Sequence, residues 1–204
     1  MSLGKPLQRT ARLEQALIPT NSNCGLEMYL SVGRMGLSDL KGVVLDLGSG
    51  DLDRFSREAA TEGISVISVD PFLVTARQRH HVTSGIHTEF NWYTRLPWAN
   101  RSIAALAQEL PVKDESVDTI VSCAAIPGYL DPDDYPAHLS EIQRILRPGG
   151  FAKLFPLIEV EEAPYVRDRY VSALAESGLK YSIDQVALAG TMADADYEIV
   201  TIRK

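Results

Sequence analysis

The sequence is short of cysteine: Cys24 and Cys123 are its only two in 204 residues. Two cysteines make no disulfide framework, so a stapled secreted domain is excluded and a reducing compartment is favoured. Long apolar runs are also missing. No stretch approaches the ~18 residues of a membrane span, and the polar segment from Met1 to Asn23 has no apolar signal core. A cytoplasmic protein without a membrane span is expected. Positive charge is in deficit, with 20 Lys and Arg against 27 Asp and Glu, a net charge of −7. This argues against a nucleic-acid partner gripped by a broad basic face. Internal repeats and low-complexity tracts are absent as well.

What remains is ordinary globular material, 45% apolar and 23% charged. One domain over residues 1–204 is the expectation at this length, with a helical segment at 1–40 ahead of an α/β core at 41–204. Leu26 to Met35 reads as a short helix ending near Gly36. Strand and helix signals then alternate. Gly42 to Leu47 is an apolar run of the kind buried on both faces of a sheet. Leu52, Phe55 and Ala59 recur at helical spacing up to Gly63, and Ile64 to Val69 is a second buried strand. Residues 72–101 show little period beyond a helix near 72–79. Ser102 to Ala107 and Val117 to Cys123 read as strands. Pro132 to Leu146 reads as a helix capped by Asp133 or Asp134, followed by a turn at Arg147 to Gly150 and a strand from Phe151 to Leu157. Val166, Tyr170 and Leu174 mark a helix stopped at Gly178, and strands near 180–188 and 196–203 close the chain.

This alternation predicts an α/β fold. It is a Rossmann-like doubly wound sheet of about seven strands, mostly parallel with an antiparallel C-terminal strand, and with helices on both faces. Ligands of such sheets bind at the C-terminal edge of the strands, where the strand order reverses. Gly48 to Asp51, Asp70, Gln108-Glu109 and Ser122 to Ala125 should converge there.

The richest segment is Asp46-Leu47-Gly48-Ser49-Gly50-Asp51. A glycine turn after a buried strand lets a ligand lie against backbone. A dinucleotide, S-adenosylmethionine (SAM), or no ligand at all each fits the glycine pair alone. The dinucleotide fingerprint requires a third glycine where Asp53 stands, and a carboxylate there disfavours a pyrophosphate. SAM carries no phosphate. Asp70, twenty residues after Gly50, ends the second strand ahead of Pro71; such an acid accepts hydrogen bonds from a ribose diol or serves as a helix cap.

Two further motifs follow in order. One runs from Ala107 to Asp118 through Leu110, Pro111, Asp114 and Ser116; the other is Leu146-Arg147-Pro148-Gly149-Gly150. Together with Asp46, Gly48, Gly50 and Asp70, they make residues 42–158 resemble class I SAM-dependent methyltransferases. The likeness is to the small-molecule branch that includes quinone-biosynthesis enzymes. The resemblance implies SAM as cofactor and a small-molecule acceptor. It implies cofactor contacts from Tyr29, Asp46, Gly48, Ser49, Gly50, Asp70, Pro71, Gln108, Glu109, Leu110 and Ser122. Three positions depart from the pattern: Leu52 replaces a frequent glycine, Leu106 an adenine-binding aspartate, and Gln108 the usual glutamate. Loss of one adenine hydrogen bond costs about 1 kcal/mol. These departures keep a SAM-binding protein without turnover in view as an alternative, with an NAD-dependent oxidoreductase behind it.

No catalytic dyad stands out, and methyl transfer does not require one. His80, His81 and His87 are candidate bases and no metal site, because adjacent histidines need a carboxylate or cysteine nearby to hold an ion. Trp92, Tyr93, Trp98 and Tyr129 are candidate acceptor contacts. The fourth strand ends in Ser122-Cys123-Ala124-Ala125-Ile126-Pro127, without the Asn/Asp-Pro-Pro-aromatic sequence of base-amino methyltransferases. Cys123 reads as a buried strand residue with nothing adjacent to lower its pKa.

Overall fold

The apolar runs become the strands of one sheet in the computed structural model, which describes residues 24–50, 53–71, 102–157, 165–186 and 197–204. They are β1 (Val44–Leu47), β2 (Val66–Val69), β3 (Ser102–Ile103), β4 (Val117–Cys123), β5 (Leu146–Leu157), β6 (Lys180–Val186) and β7 (Tyr197–Arg203). The order across the sheet is β3-β2-β1-β4-β5-β7-β6. Strands β1 to β5 pair in parallel, and β7 runs antiparallel between β5 and β6. The helices are α1 (Leu26–Ser31), α2 (Arg54–Thr61), α3 (Tyr135–Ile145) and α4 (Val166–Glu176). This is the expected Rossmann-like architecture.

Alternation along the strands sorts the core into two layers. Leu45, Leu47, Ile120, Ala152, Leu154, Val200 and Ile202 meet Tyr135, Leu139 and Ile142 of α3 and Tyr170 and Leu174 of α4. On the other face Val44, Val121, Cys123, Phe155 and Ile199 meet Tyr29 of α1 and Phe55 and Ala59 of α2. Val166, Tyr170 and Leu174 are indeed the buried stripe of α4.

Some boundaries differ from the sequence expectation for identifiable reasons. Strand β3 is only two residues long, because the chain leaves it for a tight turn in which Leu106 bridges Glu109. Helix α1 stops at Ser31, and a separate 3-10 turn covers Leu37–Asp39. The start of α3 is preceded by a 3-10 turn at Pro132–Asp134, so the capping side chain is Asp131, which accepts from the Asp133 amide at 3.0 Å.

The segment Arg147 to Gly150 is not a turn ahead of β5 but a bulge inside it. Val117 lies opposite Leu146, and Thr119 opposite Phe151, so three extra residues of β5 arch out. Gly149 has φ +82°, which favours glycine. A side chain at Gly150 would sit 2.9 Å from the Asp118 carbonyl. Asp118 itself accepts from the Val43 amide at 2.7 Å and from Arg147 Nη1 at 3.0 Å. The Gly149 amide donates to the Lys204 carbonyl and the Lys204 amide to the Gly150 carbonyl, closing the clasp beside the end of β7. Sequence positions 1–23, Asp51, Leu52 and 72–101 lie outside the described residues. The expectations for a helix at 72–79, for His80, His81 and His87, and for Trp92, Tyr93 and Trp98 fall there.

Candidate functional site

From β1 the chain steps outward through β2 to β3, then returns to place β4 on the opposite side of β1. The loops after β1 and β4 therefore diverge from a common point at the C-terminal edge. Open α/β sheets bind ligands in the crevice so formed.

The loop after β1 is built by backbone constraints. Gly48 and Gly50 have φ +78° and +70°, values at which a side chain is strained. Gly48 also lies so close to Ala125 of the β4 loop that a Cβ would collide with the alanine methyl. The Gly48 amide donates to the Val69 carbonyl at 2.8 Å, and the Gly50 amide donates to Asp70 Oδ2 at 2.9 Å. The turn is thus tied to the end of β2 twice. Ser49 is buried and its amide also reaches Val69 O. Ser122 is a strut between the two loops: its hydroxyl donates to Leu47 O at 2.7 Å and accepts from the Ile126 amide at 3.2 Å.

Beneath the turn lies a buried acid. Asp46 is 1% exposed and accepts from Tyr29 Oη at 2.6 Å. Tyr29 is held there by stacking on Phe55, with ring centroids 3.8 Å apart, and by the edge of Phe155 at 5.6 Å. Desolvation pushes the Asp46 carboxyl well above the ordinary carboxylate range, against the Tyr29 hydrogen bond; the Asp53 and Asp70 charges push it further up. Burial likewise raises the Tyr29 phenol.

Asp53 adds a third carboxylate that sequence reasoning did not place in the site. It sits at φ +49° ahead of α2, is 5% exposed and accepts from the Ser68 hydroxyl of β2. Burial raises its pKa to about 6, with the Ser68 hydrogen bond and Arg57 opposing. Its only signal in the sequence was its place in the glycine loop. Three buried acids around one turn suit sugar hydroxyls and, when ionised, a cationic ligand, and disfavour a pyrophosphate.

The remaining predicted residues lie along the loop between β3 and β4. Gln108 donates through Nε2 to Asp134 Oδ2 at 2.9 Å, which ties the loop to the start of α3. The Leu110 side chain is buried in the α3/α4 layer, and its amide donates to Glu141 Oε2 at 2.8 Å. Arg144 braces the same loop through the carbonyls of Leu110 and Val112. Glu109 is exposed and Pro71 half-buried at the end of β2. Tyr29 is bonded to Asp46 and Gly50 to Asp70, while Gly48 and Ser49 reach Val69 and Ser122 reaches Leu47 at the same edge. Gln108, Glu109 and Leu110 form a separate bracket anchored on α3. Tyr129, 65% exposed, projects from the β4 loop. Among the described residues no group of three or more His, Cys, Asp or Glu is arranged to hold a metal ion.

Comparison with known proteins agrees with this fold. The family described as a methyltransferase domain matches residues 45–154, just over half the chain. A Mycobacterium ulcerans protein, described as a probable phthiotriol/phenolphthiotriol dimycocerosates methyltransferase, is 35% identical over 77 residues; the match covers 36% of this chain and 26% of that protein. An uncharacterized Mycobacterium tuberculosis protein is 31% identical over 109 residues, covering 52% of this chain and 34% of its own length. The chain thus spans about a third or less of the curated relatives it matches. Its fold is similar to that of the Burkholderia thailandensis 1,6-didemethyltoxoflavin-N1-methyltransferase, solved with 1,6-didemethyltoxoflavin and S-adenosylhomocysteine. The TM-score is 0.61 at 18% identity, covering 100% of this chain and 92% of that one. A structure from work on disulfide-to-thioacetal conversion in echinomycin biosynthesis has TM-score 0.60 at 19% identity, over 97% and 91% of the two chains. With the matched span running from β1 into β5 and enclosing the glycine turn and its acids, this chain belongs to the class I SAM-dependent methyltransferase family, whose cofactor is SAM.

Proposed function

We propose that this chain transfers the methyl group of SAM to a small-molecule acceptor, with the cofactor held along the edge from Asp46 to Asp70. The observation that carries this reading is the set of buried carboxylates Asp46, Asp53 and Asp70 around the positive-φ turn Gly48 to Gly50 at the point of strand reversal. Asp70 is the acceptor for the ribose hydroxyls. Asp46, oriented by Tyr29, faces the methionine end, and Ser49 contributes backbone to the turn. Pro71, Gln108, Glu109 and Leu110 border the adenine, while Ser122 fixes the β4 loop against β1. The same reading takes residues 1–204 as one domain.

Bound SAM supplies a methyl group already activated by its sulfonium charge. The chain's contribution is alignment and exclusion of water. The acids around the turn favour the cationic cofactor over its neutral-sulfur product. Ionised Asp53 favours the cation more than protonated Asp53 does. SAM affinity therefore rises with pH through about 6, with proton release on binding below that value. His138 is no base for this site: it is buried in the α3/α4 layer with Nδ1 on Ala107 O, and desolvation lowers its pKa to about 4. Tyr129, exposed beside the same edge, is placed to contact the acceptor. A net charge of −7 and the small molecule bound by the Burkholderia neighbour support a small acceptor over a nucleic acid.

A second reading, SAM binding without turnover, draws support from the adenine side. Leu106 offers no carboxylate there, and the Gln108 amide is engaged by Asp134. Calorimetry with SAM and S-adenosylhomocysteine tests both readings. Binding of both, with SAM the tighter, is the expected result. Absence of heat from either at millimolar concentration overturns both, and binding without methyl transfer to any of a panel of small nucleophiles favours the second.

A further inference from the structure

The only two cysteines of the chain, 99 residues apart, meet inside the fold. Cys123 is the last residue of β4 and Cys24 lies two residues ahead of α1; their sulfurs are 3.0 Å apart. A disulfide requires about 2.05 Å, so bonding needs the two atoms to close by about 1 Å. Both are free thiols among the apolar residues of the α1/α2 layer, beside Tyr29 and Val121.

We infer that Cys24 and Cys123 are a thiol–disulfide modification site, oxidised by a low-molecular-weight disulfide to an intramolecular bond that fastens α1 to the end of β4. The geometry assigns the order of events. Cys24 is 9% exposed and Cys123 only 1%, so the external oxidant meets Cys24 first. The Cys123 thiol donates a hydrogen bond to Cys24 Sγ. This stabilises the Cys24 thiolate, lowers its pKa and raises that of Cys123.

The exchange balances without any other reactant. The Cys24 thiolate attacks one sulfur of the small disulfide, forming a mixed disulfide and expelling one thiolate. Cys123 then loses its proton and attacks the Cys24 sulfur, forming the Cys24–Cys123 bond and expelling the second thiolate. Two electrons pass from the protein to the small disulfide, and the two cysteine protons end on the two released thiols. A dithiol reverses the sequence.

The bond would close a loop of about 100 residues, a size at which cross-links constrain the unfolded chain strongly. It would also fix the segment that carries Tyr29 to the strand neighbouring Asp46. Neither consequence depends on methyl transfer, so this inference is tested apart from the proposed function.

The test uses the full folded chain. It is incubated with glutathione disulfide, its remaining thiols are alkylated, and it is digested without reduction. The expected product is a Cys24–Cys123 cross-linked peptide pair lighter by two hydrogens than the two reduced peptides. The oxidised protein should melt about 5 °C or more higher than the reduced form. Dithiothreitol should reverse the shift, and C24A and C123A should each abolish it. Recovery of both cysteines as alkylated thiols overturns the inference. So does a glutathione adduct that persists on Cys24 without passing to Cys123, and a melting temperature that falls on oxidation overturns the fastening role.

Discussion

At the C-terminal edge of the sheet, the turn from Asp46 to Gly50 bends its backbone outward, with three buried carboxylates around it. At the opposite edge Asp118, Arg147, Gly149 and Gly150 satisfy one another. The carboxylate takes the Val43 amide and the Arg147 guanidinium, and the glycines accept a bulge that pairs with Lys204. Both sets are family motifs of similar prominence in the sequence. One lies at the edge where open α/β sheets bind ligands, while the other closes the protein on itself. A motif that identifies a family is therefore not by itself a ligand contact; its place on the sheet decides which role it has.

Breaking the ligand end should give the largest effect. Gly48→Val places a branched side chain at φ +78° against Ala125. SAM affinity should fall at least ~100-fold, equivalent to about 2.7 kcal/mol, and the variant should also melt lower. Near-normal SAM affinity by calorimetry would contradict the site.

The carboxylates supply a pH-dependent version of the same contrast. Asp53 is ionised in the unfolded chain from the ordinary carboxylate range upward, but in the folded chain only above about 6. The folded state therefore binds this proton more tightly. Stability from this group falls as pH rises across that window, and the full cost is present above it. Asp53→Asn removes the slope, gaining on the order of 2–3 kcal/mol at pH 7 relative to wild type. Urea denaturation across pH 4 to 7 checks it, and parallel curves for the two proteins count against the account.

Breaking the clasp should cost stability and leave binding alone. Asp118→Ala deprives the Val43 amide and Arg147 of their acceptor, a loss of about 1–3 kcal/mol. Thermal melting should drop by several degrees, while the SAM dissociation constant stays within about twofold. A large loss of SAM affinity in this variant would erase the distinction between the two ends.

Much of this was legible in the sequence because it rests on local pattern. Strand β4 and the Val166, Tyr170, Leu174 stripe appear as periodicity alone foretells. The same holds for the glycine turn and Asp70, whose carboxylate meets the Gly50 amide. What escaped depends on partners distant in the chain. Gly149 and Gly150 read as a turn, since nothing in Arg147 to Gly150 reveals that Asp118 and Lys204 hold the segment in a strand. The sequence offers Asp53 only as a carboxylate unfavourable to a pyrophosphate, because its partner Ser68 stands on the next strand. Cys123 read as isolated because Cys24 is 99 residues away. Family resemblance implies that Tyr29 contacts the cofactor, and the structure sets it on Asp46 through a fully buried hydrogen bond.

The edge from Asp46 to Asp70 is proposed to hold SAM, and the clasp only the protein itself. Calorimetric titration of SAM into wild type, Asp70→Ala and Asp118→Ala, with circular dichroism confirming all three folds, tests it most directly. The account predicts binding to wild type and Asp118→Ala with similar affinity, and at least ~100-fold weaker binding to folded Asp70→Ala. Equal affinity for all three proteins would contradict it.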